Sequence, residues 1–387
     1  AGKRGVWGCA EQLLINKAVL DEVKSFRRNI VTVWLDYKKA FDSVPHSWIL
    51  YALKLAKVPE NLISAISGLT QSWSTKLILK GKDKVIESDE IKFQRGIFQG
   101  DSLSVLLFIL SVNPLSFLLQ KNIGYKSGKD RSLNITHNFF VDDLKLYGSN
   151  INVIKKQLDL VTTFSKDIGM DFGQDKCAYI TIVKGKLLPT TKELKMNGLT
   201  IKPIEEGESY RYLGQDENIS YGGQVNKERV RNEYFKRVKK IWFSELSGFN
   251  KSVAHNSFAV PILTPTFGIL DWTIAEIQAI DIKTRKLLCL SGNFHPNSDV
   301  DRLYLTRKNN GRGLKSVQVA FECRIVSLHN HIEKIKNRSP IIQVIHHNEN
   351  NGIIRVGREL LERFNITNDN LNIYQRDISK KYLIQTR

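Results

Sequence analysis

Four cysteines in 387 residues, Cys9, Cys177, Cys289 and Cys323, are all the thiols this chain has. They lie far apart, with no Cys-x-x-Cys pair, so a structural zinc is not expected. Free thiols in an intracellular, reducing compartment are. Acidic residues are in deficit: 39 Asp and Glu stand against 58 Lys and Arg, a net charge of +19. An excess of this size points to a polyanionic partner, nucleic acid first. Long uncharged runs are nearly absent. Ser102 to Gln120 is the exception, but it carries Asn113, Pro114 and several serines and is barely long enough to span a bilayer. It reads as a buried helix, and no membrane partner is expected. There is no internal repeat and no low-complexity tract. The chain opens at Ala1 with no visible signal peptide, which suggests a piece of a longer polyprotein. No Ser-His-Asp or Cys-His grouping stands out, and His46, His137 and His255 read as structural or surface residues.

What the chain does have is organised around Asn138-Phe139-Phe140-Val141-Asp142-Asp143-Leu144-Lys145-Leu146-Tyr147. Two apolar, β-prone runs flank an aspartate pair, so Thr136 to Tyr147 reads as two short strands with the pair near their turn. Neighbouring strand residues face opposite ways, so Asp142 and Asp143 cannot do the same job. Two carboxylates in an apolar hairpin are costly unless a cation neutralises them; an ordinary Asp-rich turn is the plain alternative. A third carboxylate, Asp36, ends the β-branched strand Ile30 to Asp36. A strand-borne Asp plus a hairpin pair is the donor set that two-metal phosphoryl transfer requires, with Mg²⁺ as the ion and Mn²⁺ as a substitute.

Along the chain, helices are expected over Cys9 to Phe26, from Pro45, from Pro59, over Val153 to Ile168, Asn226 to Leu246 and Ile274 to Leu290. Thr75 to Lys80 and Val85 to Phe93 read as a hairpin, and Ala178 to Val183 as a strand. Asp101 or Ser102 caps the apolar helix, which Pro114 should kink or end. Lys121 to Asn134 reads as a polar loop. The chain is strand-rich and mixed to about Gly214, then helical and basic, with a boundary expected near Tyr221-Gly222-Gly223.

Leu35-Asp36-Tyr37-Lys38-Lys39-Ala40-Phe41-Asp42, Phe98-Gln99-Gly100-Asp101-Ser102-Leu103-Ser104, Phe140-Val141-Asp142-Asp143 and Gln174-Asp175-Lys176-Cys177 follow one another in order. They resemble the successive palm motifs of the reverse transcriptase domain of non-LTR (LINE-type) retrotransposons. The nearest group is the site-specific one that carries a restriction-like endonuclease. The resemblance covers most of the chain, and four motifs in order are far more specific than any one alone. It departs at Val105, where the family has Pro.

The resemblance implies an α+β right-hand polymerase fold. Partial fingers and an antiparallel palm would occupy 1–220, a helical thumb 221–330 and a C-terminal helical extension 331–387. The activity implied is RNA-directed DNA polymerisation by target-primed reverse transcription. Its partners would be an RNA template, a DNA primer or target and dNTPs, acting in the nucleus. Asp36, Asp142 and Asp143 would be catalytic and, with the Tyr37 carbonyl, hold the metals. Phe41 would exclude a ribose 2′-hydroxyl, although core packing is its plainer role. Gln99, Gly100 and Lys176 would meet the nucleotide, and Tyr212-Leu213-Gly214 would grip the primer. Arg95, Lys227, Arg231, Lys236, Arg237 and Lys240 would bind nucleic acid. The alternative is a truncated, non-catalytic nucleic-acid-binding remnant.

Overall fold

The computed structural model describes residues 8–81, 84–205, 207–217, 222–337, 340–347 and 351–364. Chain order is α1 (Cys9–Ser25), β1 (Ile30–Leu35), α2 (Ala40–Ser43), α3 (His46–Leu55), α4 (Glu60–Gln71), β2 (Ser74–Thr75), β3 (Ile78–Lys80), β4 (Val85–Glu87) and β5 (Ile91–Lys92). Next come α5 (Ser102–Gln120), β6 (Tyr125–Ser127), β7 (Leu133–Ile135), β8 (His137–Phe140), β9 (Asp143–Gly148) and α6 (Ile151–Asp167). Then follow β10 (Ala178–Val183), β11 (Lys186–Leu187), β12 (Leu194–Met196), β13 (Leu199–Pro203), β14 (Tyr210–Tyr212) and β15 (Gln215–Glu217). The rest is helical: α7 (Gly222–Trp242), α8 (Gly248–Ala254), α9 (Val260–Leu263), α10 (Ile274–Leu290), α11 (Val300–Tyr304), α12 (Val317–Ile335), α13 (Pro340–His347) and α14 (Gly352–Arg363).

By packing, the chain divides into Ala1–Gln12 with Val19–Tyr210, and Leu13–Ala18 with Arg211–Arg387. The boundary residue Tyr221 and everything past residue 364 lie outside the described residues.

The first unit is built on one sheet of order β12-β13-β10-β1-β9-β8, with β11 on β10. All its pairings are antiparallel except β10 with β13. β1 is central and buried along its whole length, so its β-branched residues pack on both faces. Val31, Val33 and Leu35 on β1 and Leu144 and Leu146 on β9 share one face. They form a core with Ile49 and Leu53 of α3, Leu107, Phe108 and Leu115 of α5, and Leu158 and Val161 of α6. The right-hand polymerase architecture expected from sequence agrees with this helix-backed, largely antiparallel sheet.

α5 is long and apolar enough, by length and composition, to cross a membrane. Its Leu107, Phe108, Val112, Leu115 and Leu119 are nevertheless in the core. Asp101 is its N-cap, accepting from the Leu103 N–H at 2.9 Å. Of the kink or end expected at Pro114, the end does not occur, since the helix runs on through it; buried Ser111, Val112, Leu115 and Leu119 hold both sides of it in the core. The polar loop expected over Lys121 to Asn134 instead contains the β6–β7 hairpin. It is held by buried Tyr125 and Ser127, whose hydroxyls both donate to the Glu22 carboxylate.

In the second unit, α7 packs against α10 through buried Tyr234, whose hydroxyl pairs with Thr284 at 2.9 Å. The β14–β15 hairpin is tied to α7: Asn226 Oδ1 accepts from the Asp216 N–H at 3.0 Å, and Arg229 Nε meets Asp216 Oδ2 at 2.8 Å.

Candidate active site

Strand alternation sends Asp36 to the sheet face opposite the helix-backed core. It shares parity with Trp34 and Thr32, whereas Tyr37 joins Val33 and Leu35 in the core. β9 pairs Leu144 with Leu35 and Lys145 with Trp34. Continuing that register by one step brings Asp143 across from Asp36. β8 pairs Phe140 with Asp143, leaving Val141 and Asp142 as a two-residue hairpin turn. Val141 takes φ 56°, a conformation that costs a β-branched residue more than most. The hairpin read from the sequence is therefore present, with Asp142 on the turn and Asp143 opening the strand.

A second segment closes on Asp36. The Lys38 N–H donates to Asp171 O at 2.8 Å and the Gly173 N–H to Asp36 O at 2.9 Å. The Tyr37 and Phe172 rings stack with centroids 4.7 Å apart, and the Tyr37 hydroxyl pairs with Ser165 at 2.9 Å. Gly173 packs closely on the acid: a Cβ there would come to 3.3 Å from Asp36 Oδ2, which would have to give by a few tenths of an ångström. The turn after it carries Lys176, whose Nζ lies 3.2 Å from Asp36 Oδ2. Gly173 was not singled out from the sequence; the short span between it and Lys176 was the available signal.

The charge on Asp36 disfavours ionisation of Asp142 and Asp143. Burial, then the charges of Asp142 and Asp36, push Asp143 up to about 6. Burial chiefly, with Asp36 adding, raises Asp142. Lys176 opposes both shifts, but its side chain is 71% exposed, so water screens it. A site of mutually repelling acids with one screened ammonium fits a divalent cation. Among the described residues no group of three or more His, Cys, Asp or Glu side chains stands close enough to hold a metal ion by itself. A hard divalent ion that takes one or two carboxylates and completes its shell with water and phosphate oxygens does not need such a group.

Phe41 sits in α2, half-buried, its ring stacked on Phe108 at 4.5 Å. Its carbonyl accepts from the Ile97 N–H at 2.9 Å, which ties the Asp36 segment to the loop bearing Gln99 and Gly100. Both of these are exposed. Gly100 has φ 99° with nothing within 4 Å of a Cβ position, so its backbone is open to a ligand and unsuited to other residues. Arg95 is exposed, its guanidinium near Gly169.

Leu213 and Gly214 form the turn between β14 and β15, with φ 46° and 80°, and the Tyr212 side chain is buried. On α7, Lys236 and Lys240 are exposed and Arg231 is half-exposed. Arg237 pairs with Glu233 at 2.9 Å and also donates to Phe258 O. Lys227 does not join the exposed row. It is buried, its Nζ 2.8 Å from Glu276 Oε2 and 5.4 Å above the Trp272 ring, because its place on α7 turns it towards α10.

A family model for reverse transcriptase (RNA-dependent DNA polymerase) matches residues 8–216. The chain is 30% identical over 220 residues to the Pol polyprotein of a type-1 retrotransposable element R2 from Nasonia vitripennis, covering 56% of this chain and 20% of that one. It is 32% identical over 212 residues to an R2 polyprotein from Popillia japonica, covering 52% and 29%. The matched stretch is thus less than a third of either relative's length. Among solved structures, telomerase from Candida albicans, in complex with a fragment of telomeric RNA, aligns at 10% identity and TM-score 0.36, covering 96% of this chain and 52% of that one. The family match takes in every one of the four acidic, glycine-loop and lysine motifs described above, and the chain belongs to the reverse transcriptase (RNA-dependent DNA polymerase) family.

Proposed function

We propose that this chain is the polymerase core of an R2-like element, adding deoxynucleotides to a DNA 3′-hydroxyl on an RNA template at a nicked nuclear target. The observation that carries this is the meeting of Asp36 with the Asp142–Asp143 turn at one end of the central sheet, where Asp143 is held up at about 6 by burial and its two acidic neighbours.

Reverse transcriptases use divalent metal ions. Here Asp36, Asp142 and Asp143, with the Tyr37 carbonyl, would hold two Mg²⁺, which supply activation of the attacking oxygen and stabilisation of the leaving one; Mn²⁺ is the expected substitute. The chain's own part is positioning and charge. Lys176, already on Asp36, is placed to shift to an incoming triphosphate as an exposed ammonium. Phe41, braced on Phe108, would close the space beneath the sugar to a 2′-hydroxyl. Gln99 and Gly100 offer open backbone to the nucleotide and template. Tyr212-Leu213-Gly214 would position the primer end. Arg95, Arg231, Lys236, Arg237 and Lys240 would neutralise phosphates, which predicts a steep salt dependence of binding.

The test is primer extension by the purified chain with a DNA primer on an RNA template, Mg²⁺ and either dNTPs or NTPs. Extension with dNTPs alone is expected. Duplex binding with no extension under any condition would make the chain a binding remnant instead.

A further inference from the structure

We propose that the Phe98 ring is a stacking platform for an unpaired template nucleobase, a role that rests on the polymerase function proposed above. Phe98 lies in the loop leading to Gln99 and Gly100. Alternation separates it from its neighbour: Ile97 is 2% exposed in the core, while Phe98 is 47% exposed. A large apolar side chain held outwards beside a polar site is the informative case, not a scattered surface hydrophobe.

The ring is fixed in that position. Trp73 packs on it with centroids 4.7 Å apart at 53°, and Phe93 meets it edge-on at 5.4 Å. Trp73 is backed by His46 at 5.3 Å, and His46 Nε2 lies 2.9 Å from Gly96 O. The backbone is pinned as well. The Gly96 N–H donates to Val44 O at 2.8 Å, the Ile97 N–H to Phe41 O at 2.9 Å, and Ser104 Oγ donates to Phe98 O. Two aromatic supports and three hydrogen bonds therefore present one part of a ring that has no need to be exposed for folding. The loop is joined directly to the Phe41 segment, one turn beyond Asp36.

The chemistry that fits is a flat π-face carried on a polyanion. The segments that the loop joins expose Lys38, Lys39, Lys92 and Arg95, which suit phosphates. Bases within a duplex already have both faces covered, so the base that gains from the ring is an unpaired one on the template ahead of the primer end. Stacking of this kind tolerates any base, as a template reader requires.

The test compares wild type with Phe98→Leu and Phe98→Trp. Leu keeps apolar packing on Trp73 and Phe93 but has no π-face; Trp restores one. Affinity is measured by fluorescence anisotropy at fixed salt for an RNA–DNA duplex with a several-nucleotide 5′ template overhang and for the blunt duplex. Extension kinetics are run alongside. Phe98→Leu is expected to weaken overhang binding on the order of tenfold, to leave blunt binding and melting temperature unchanged, and to be rescued by Phe98→Trp. Equal affinities for the overhang in wild type and Phe98→Leu, or an equal loss on both duplexes, overturns the proposal. A rise in KM for dNTP with overhang binding intact assigns the ring to the incoming base and overturns the template assignment. Wild type that extends normally while Phe98→Leu is silent sinks only the platform. Overhang binding that needs Phe98 in a chain that never extends sinks only the polymerase function.

Discussion

Loss of Glu22 should cost the first unit much of its stability. Its carboxylate sits at the end of α1 and accepts from Tyr125 Oη at 2.9 Å, Ser127 Oγ at 2.6 Å, the Gly128 N–H at 3.0 Å and Arg28 Nη1 at 2.5 Å. Both partners of the ion pair are nearly out of water, at 9% exposure for the Arg28 side chain and 6% for Glu22. Arg28 in turn donates to Gly128 O at 2.8 Å, so one acid holds α1, the turn after it and the β6–β7 hairpin together. Glu22→Ala would leave a buried guanidinium and two buried hydroxyls without their acceptor. Removing one partner of a buried pair costs about 3–5 kcal/mol. In a unit of this size that is a fall in melting temperature of roughly 6–20 °C. Thermal and urea unfolding of wild type, Glu22→Ala and the paired Glu22→Leu/Arg28→Met variant measure it. The paired variant should recover a large part of the loss, because it buries no unmatched charge. A Glu22→Ala cost below about 1 kcal/mol, or a paired variant worse than the single one, refutes the reasoning.

Other consequences concern the site. Gly173→Ala pushes a methyl to 3.3 Å from Asp36 Oδ2; kcat should fall on the order of tenfold with no loss of melting temperature, since φ −78° suits alanine. Phe41→Ala should raise NTP use relative to dNTP on the order of tenfold, read by competitive single-nucleotide extension. Lys227→Ala removes the buried partner of Glu276 and should cost about 2 kcal/mol of stability while leaving the salt slope of duplex binding unchanged. Lys240→Ala should do the reverse, keeping stability and lowering the slope by about one.

Much of this was legible because the pattern and the chemistry coincide. The apolar runs around Asp142–Asp143 can form only a hairpin with the acids at its turn, and the β-branched Ile30 to Leu35 run ends at Asp36. What was less legible depends on partners distant in sequence. β6 and β7 are three residues each, and Tyr125 and Ser127 are strand residues because Glu22, more than a hundred positions earlier, needs donors. Pro114 reads as a kink or an end of α5, yet the core on either side of it carries the helix past it. Lys227 looked like one more cation on a basic helix; only the placement of Glu276 and Trp272 turned it inwards. Gly173 has no sequence signature beyond its distance from Lys176, and its constraint comes from Asp36, more than a hundred residues earlier, to whose carbonyl its N–H donates. Phe98 read as part of a motif, and its half-exposed ring became visible only with Trp73 and Phe93 around it.

The most direct measurement of the central claim is single-turnover primer extension by Asp142→Ala across a Mg²⁺ titration, beside template–primer binding and melting temperature. Asp142 lies on the hairpin turn, so the substitution leaves the sheet ladder intact. The account predicts loss of extension at every Mg²⁺ concentration, with duplex affinity and melting temperature close to wild type. Extension at the wild-type rate would contradict it and remove the Asp36, Asp142 and Asp143 cluster from the chemistry.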